Sequence, residues 1–135
     1  MDIDLSGTTM LMAEDNDVNA LIAERMLSEH GIKIKRVRDG FEVQKAFEGS
    51  RQGEFSAILM DIRMPGCDGW TAAEQIRTMD HPDAQTIPIV ALSANAYIED
   101  MRKSAAAGMN GHISKPIDYG ELLLILQSVV ASHDE

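Results

Sequence analysis

Four short apolar runs in this chain end on side chains suited to phosphate or metal chemistry: Glu14 and Asp15, Asp61, Ser93, and Lys115 followed by Pro116. Carboxylates held together repel one another unless a pKa rises or a cation is bound. Hard oxygen donors with open positions suit Mg²⁺, which keeps several waters and takes one or two carboxylates plus a phosphate oxygen. Lys115 offers that phosphate a point charge, and Ser93 offers a hydrogen bond. Any one of these residues alone reads as a solvated group at a strand end. All of them in this order read as a site for phosphate and a divalent metal together.

The elements that must position them follow from pattern. Thr8–Ala13, Ser56–Met60, Ile87–Leu92 and Gly111–Ser114 read as buried strands, and Ile32–Val37 alternates apolar with basic residues as an edge strand would. Helix-length segments lie between them, pointing to βα units and a mostly parallel sheet. Ligands of such a sheet bind beyond the carboxyl ends of its strands. Asn16 or Asp17 can cap a first helix whose apolar positions Val18, Leu21, Ile22 and Met26 recur at helical spacing, and Gly31 stops it. Val43, Ala46 and Phe47 share one side of a second helix. Asp68 can cap a third, running to about Met79 after the Pro65-Gly66 turn. Ile98, Met101 and Ala105 mark a fourth that ends at Gly108, and Asp118 caps a fifth carrying Leu122, Ile125, Leu126 and Val129.

At 135 residues the chain is long enough for one domain with a real core, expected over 1–135 with its core at about 8–132. No apolar stretch reaches the roughly 18 residues that span a bilayer, and Met1-Asp2-Ile3-Asp4 carries acids where a secretory signal carries Lys or Arg. A soluble, cytoplasmic domain is expected. The single Cys67 allows no internal disulfide. A net charge of −10 argues against a surface for nucleic acid or anionic lipid, both of them polyanions. His30, His81 and His133 share no ligand spacing, which argues against zinc.

Met12-Ala13-Glu14-Asp15-Asn16, Leu59-Met60-Asp61-Ile62-Arg63-Met64-Pro65, Ala91-Leu92-Ser93-Ala94 and His112-Ile113-Ser114-Lys115-Pro116 together resemble the receiver domain of two-component response regulators, over nearly the whole chain. They are most similar to receivers joined to hybrid sensor histidine kinases. The resemblance implies a doubly wound, flavodoxin-like α/β fold with five parallel strands in the order 2-1-3-4-5. It implies transfer of a phosphoryl group from a phosphohistidine to Asp61, with Mg²⁺ or Mn²⁺ held by Glu14, Asp15, Asp61 and the backbone carbonyl of Arg63. Lys115, joined to Pro116 by a cis bond, would pair with a phosphoryl oxygen. Ser93 would be drawn inward as a switch, and Arg63 and Asn95 would tune the lifetime of the acyl phosphate. The family often has Tyr or Phe where this chain has His112, so the second half of its switch is altered here. Trp70, near the metal, would report on it by fluorescence. Implied partners are a sensor histidine kinase or a histidine phosphotransfer protein. No DNA-binding or catalytic output segment is read, so output is expected by relay, or through the face of the fourth helix, fifth strand and fifth helix. The domain would promote its own phosphorylation and dephosphorylation without being an enzyme in the usual sense.

Three other readings fit less well. An aspartyl phosphohydrolase resembles a pattern with a second Asp where this chain has Arg63. A flavodoxin-like cofactor binder needs a Ser/Thr/Gly-rich loop where this chain has Glu14-Asp15-Asn16-Asp17. A degenerate receiver would have lost Asp61 or Lys115, and both are present.

Overall fold

The computed structural model describes residues 5–94 and 98–134. Strands and helices alternate strictly: β1 (Thr9–Ala13), α1 (Asp17–Ser28), β2 (Lys33–Val37), α2 (Gly40–Glu48), β3 (Ile58–Asp61), α3 (Gly69–Arg77), β4 (Ile89–Ser93), α4 (Ile98–Ala106), β5 (Gly111–Ser114) and α5 (Tyr119–Asp134). All strand pairs are parallel and the order is β2-β1-β3-β4-β5, as the sequence led us to expect. The chain leaves β1 to build β2 on one side and returns to build β3 on the other. That reversal opens a crevice between the ends of β1 and β3.

The two-residue period of the strands sorts the core into two layers. Leu11, Ala13, Ile58, Met60, Ile89 and Ala91 face Val43 and Phe47 of α2 and Ala72, Ala73 and Ile76 of α3. Their neighbours Met10, Met12, Leu59, Val90 and Leu92 face Ala23 and Leu27 of α1 and Leu122, Leu126 and Val130 of α5. β2 sits at the margin with Lys33 and Lys35 exposed, which discourages another strand from adding there.

Local sequence sets where each helix begins. The side chains of Asn16, Asp39, Asp68 and Asp118 accept from backbone N–H groups in the first turns of α1, α2, α3 and α5. Each satisfies a donor that the helix itself leaves orphaned.

Two expectations from the sequence are revised. Asp61 and Ser93 do not stand beyond their strands but are the last residues of β3 and β4, which start later than the apolar runs do. Pro88 lies just outside β4, where its carbonyl still accepts from Ile58 while its missing N–H costs nothing in the ladder. The second revision concerns α1. Val18, Leu21, Ile22 and Met26 are 65%, 50%, 46% and 38% exposed, while Ala20, Ala23 and Leu27 are buried. The small alanines let the helix approach a sheet face already filled by Met10 and Met12, so the bulkier stripe is turned to solvent.

The end of the sheet opposite the crevice is tied by Arg77 at the close of α3. Its guanidinium donates to the carbonyl of Gly108 (Nε 3.0 Å, Nη2 2.7 Å), the carbonyl of Ala84 (3.1 Å) and Asn110 Oδ1 (2.9 Å). Asn110 Oδ1 also accepts from the amide of Ile89. One cation thus joins α3, the turn before β4 and the turn before β5, at a burial that lowers its pKa.

Candidate functional site

The crevice gathers the acidic residues. Glu14, Asp15 and Asp61 each offer an oxygen, and these oxygens all lie within 4.8 Å of one another. Glu14 follows β1 and is 1% exposed; Asp61 ends β3 and is 4% exposed; Asp15 opens to solvent. Among the described residues no other group of His, Cys, Asp and Glu is placed to share a metal. Three carboxylates, two buried and one open, match the donors a hard divalent cation takes while keeping water and exchangeable positions.

Lys115, after β5, reaches across to this cluster. Its Nζ donates to Asp61 Oδ2 at 2.8 Å and to Glu14 Oε2 at 3.3 Å. Its own amide donates to the carbonyl of Ser93 at 2.7 Å, locking the turn to the end of β4, and the Lys115-Pro116 bond is cis. Burial works against the ammonium, but the hydrogen bond and charge of Asp61, together with Glu14, outweigh it and leave the Lys115 pKa above its ordinary value. Glu14 is also raised, by burial first and by the negative charge of Asp61 second, with Lys115 opposing.

Backbone donors complete the arrangement. The amide of Arg63 donates to Asp61 Oδ1 at 3.1 Å, and the amide of Asn16 donates to Glu14 Oε1 at 3.1 Å. Arg36 fixes the loop from outside, donating from Nε to the carbonyl of Glu14 and from Nη1 to Asp17, which Arg38 also grips. These two arginines hold the Asp17 carboxyl below its usual range. Gly69 is required by proximity: a Cβ there would lie 2.5 Å from the carbonyl oxygen of Asp61. The start of α3 can approach the end of β3 this closely only without a side chain.

A cleft of about 440 Å³ opens beside the carboxylates, lined by Asp15, Ile62, Arg63, Met64, Pro65, Asp68 and Trp70. Arg63, on the loop after β3, and Trp70, in the first turn of α3, thus both flank the acidic cluster. Ser93 is buried at the mouth, in register with Ser114. His112 lies in β5 opposite Ala91. Its Nε2 is buried without a hydrogen-bond partner among the described residues, and burial lowers its pKa against a counteracting pull from Asp100. Asn95 lies outside the described residues.

Sequence reasoning passed over the ground on the other side of Lys115. A second cavity, about 580 Å³, lies between α1 and the β5–α5 loop and is lined by Asn19, Ile22, Lys115, Pro116, Ile117 and Tyr119. It continues the outward apolar stripe of α1 up to the ammonium that touches Asp61. The signal was present in the helical spacing of that stripe, which does not by itself say which way the stripe faces.

A five-stranded parallel sheet whose first and third strands end in clustered carboxylates, with a lysine arriving from the fifth, defines a receiver of two-component signal transduction. The family model for the response regulator receiver domain matches residues 10–127, and the chain belongs to that family. It is 35% identical to the peroxide stress-activated histidine kinase mak1 of Schizosaccharomyces pombe over 126 residues, which cover 93% of this chain and 8% of that protein. The receiver domain of sensor histidine kinase PA1611 from Pseudomonas aeruginosa, with magnesium coordinated in its active-site cleft, superposes with a TM-score of 0.82 at 37% identity, covering 93% of this chain and 99% of that one. The Saccharomyces cerevisiae receiver domain of Ssk1, in complex with the histidine phosphotransfer protein Ypd1, gives 0.73 at 29% identity, covering 85% and 83%. No helix among the described residues is long and apolar enough to cross a membrane.

Proposed function

We propose that Asp61 is the phosphoacceptor, taking a phosphoryl group from a phosphohistidine of a sensor kinase or a histidine phosphotransfer protein. A carboxylate oxygen of Asp61 attacks phosphorus, the P–N bond breaks, and the imidazole leaves as an acyl phosphate forms. The observation that carries this reading is the state of Asp61, buried at a strand end with Lys115 at 2.8 Å and two further carboxylates in reach. Lys115 holds the acceptor before transfer and is positioned to pair with a phosphoryl oxygen after it. The Arg63 amide on Oδ1 orients the carboxylate.

Glu14, Asp15 and Asp61, with the backbone carbonyl of Arg63, would hold Mg²⁺, Mn²⁺ being an alternative of similar chemistry. When bound, the ion supplies positive charge against the oxygens of the phosphoryl group in flight. The pKa of Glu14, raised first by burial and second by the negative charge of Asp61, supports the assignment, because a bound cation would offset both.

Ser93 would then hydrogen-bond the phosphoryl group and draw the β4–α4 loop inward. His112 takes the aromatic position of the switch. Arg63, exposed at the cleft, and Asn95 would border the attacking water and set the lifetime of the product. The phosphodonor protein would dock over α1, where Val18, Leu21, Ile22 and Met26 form an exposed apolar face that runs into the Lys115-Pro116 cavity beside the acceptor. A donor imidazole must reach Asp61, so its carrier has to cover the rim of this crevice. The Ypd1–Ssk1 complex, in which a similar receiver domain is bound to a histidine phosphotransfer protein, supports a partner of that kind by similarity. A cytoplasmic domain of a larger hybrid kinase accords with the small share of mak1 that the chain spans.

The test is to incubate the protein with Mg²⁺ and acetyl phosphate and to measure intact mass beside Asp61→Asn. The wild type should gain one phosphoryl group and the variant none. Equal gain by both would overturn the assignment of Asp61.

A further inference from the structure

Among its described side chains α4 buries no apolar one. The buried one is Ser104, 2% exposed, while Met101 is 46% exposed. A buried hydroxyl needs a partner, and Ser104 finds it outside its own helix: the indole Nε1–H of Trp70 donates to its Oγ at 2.9 Å. The neighbouring Lys103 places its ammonium 4.4 Å from the centroid of the same ring. Trp70 also lines the cleft beside Asp15 and Arg63. One side chain therefore touches both the entrance to the phosphorylation site and the only buried point of α4 among the described residues. Just past α4, Ala107 and Met109 are buried and Gly108 is tied to Arg77. The helix is thus anchored at its C-terminal end, and among its described side chains Ser104 and Lys103 both hold it to Trp70.

We propose that the Trp70–Ser104 hydrogen bond is a latch, closed in the unphosphorylated domain and opened when α4 moves, so that these two residues set how readily Asp61 becomes phosphorylated. The proposal rests on the reading of Asp61 as phosphoacceptor. A contact present in only one of two states favours that state, and deleting it shifts the equilibrium by the full worth of the contact. Trp70 is a positioning residue here: it acts on Asp61 through the seat of α4.

The experiment is a beryllofluoride titration in saturating Mg²⁺, followed by fluorine NMR, on wild type, Ser104→Ala, Trp70→Phe and the double variant. Each single variant should bind the phosphoryl mimic about five-fold more tightly, the effect of losing one ordinary hydrogen bond from the unliganded state. The double variant should gain no more than either single one, since both delete the same contact. In saturating Mg²⁺, Ser104→Ala should show a smaller change in Trp70 emission on adding beryllofluoride than the wild type does. A merely structural hydrogen bond would lower resistance to urea without moving the beryllofluoride midpoint, and that outcome would overturn the latch. Additive gains in the double variant would overturn it too. Should the wild type neither bind beryllofluoride nor take a phosphoryl group, the reading of Asp61 itself fails; should it do both while Ser104→Ala and Trp70→Phe keep its midpoint, the latch alone fails.

Discussion

Replacing Lys115 by Met removes a charge from a nearly isosteric side chain and leaves Glu14 and Asp61 facing each other. At 2.8 and 3.3 Å and an effective dielectric of about 20, the two attractions amount to roughly 6 and 5 kcal/mol before desolvation is subtracted. Most of that is offset by the cost of burying the charges, and the net loss on breaking such a pair is about 3–5 kcal/mol. The lower end applies, because the Lys115 side chain keeps 23% of its exposure and because Glu14, its pKa already raised, can take up a proton. We therefore expect Lys115→Met to lose about 3 kcal/mol in EDTA at neutral pH. Mg²⁺ should bind the variant about ten-fold more tightly, equivalent to about 1.4 kcal/mol of relieved repulsion between cations. Saturating Mg²⁺ would thus narrow the stability gap between the two proteins by that amount. Urea unfolding followed by circular dichroism, with and without Mg²⁺, and calorimetric titration of the metal measure these quantities. An unchanged urea midpoint in EDTA, or Mg²⁺ stabilising the variant no more than the wild type, would refute the picture of Lys115 and metal competing for the same carboxylates.

Three further outcomes follow from the same geometry. Because the Glu14 pKa is raised in the folded state, its contribution to stability is fully present below the unfolded value and is lost as pH rises through the folded one; metal-free wild type should weaken over that window in urea melts, and Glu14→Gln should flatten the dependence while weakening Mg²⁺ binding. On α1, Leu27→Ala removes a fully buried side chain and should cost about 2–5 kcal/mol, whereas Leu21→Ala, on the exposed face, should change stability by no more than about 0.5 kcal/mol yet slow phosphotransfer from a histidine phosphotransfer protein and not from acetyl phosphate. Gly69→Ala drives a methyl group against the Asp61 carbonyl and should cost about 1–3 kcal/mol in thermal unfolding, with slower phosphorylation as the strand end shifts.

The strand ends were legible because each apolar run stops abruptly at a charged or hydroxyl residue, and the parallel order then brings those stops together. Three helix starts were legible too, since Asn16, Asp68 and Asp118 cap by local chemistry. The orientation of α1 was not. Val18, Leu21, Ile22 and Met26 share a helical face, and so do Ala20, Ala23 and Leu27; periodicity reveals two stripes without saying which one the sheet has room for. The Trp70–Ser104 bond joins residues 34 apart in sequence, and the unpartnered Nε2 of His112 depends on what packs over it. Neither leaves a mark in spacing or composition.

Arg77 gives this molecule a gradient of stiffness. It fastens three connections at the end of the sheet remote from the carboxylates, which stiffens that end relative to the crevice. Native-state hydrogen exchange should find the amide of Ile89 among the slowest in the chain, because its acceptor, Asn110 Oδ1, is itself held by that guanidinium. A small movement of Ser93 would then arise against a fixed base.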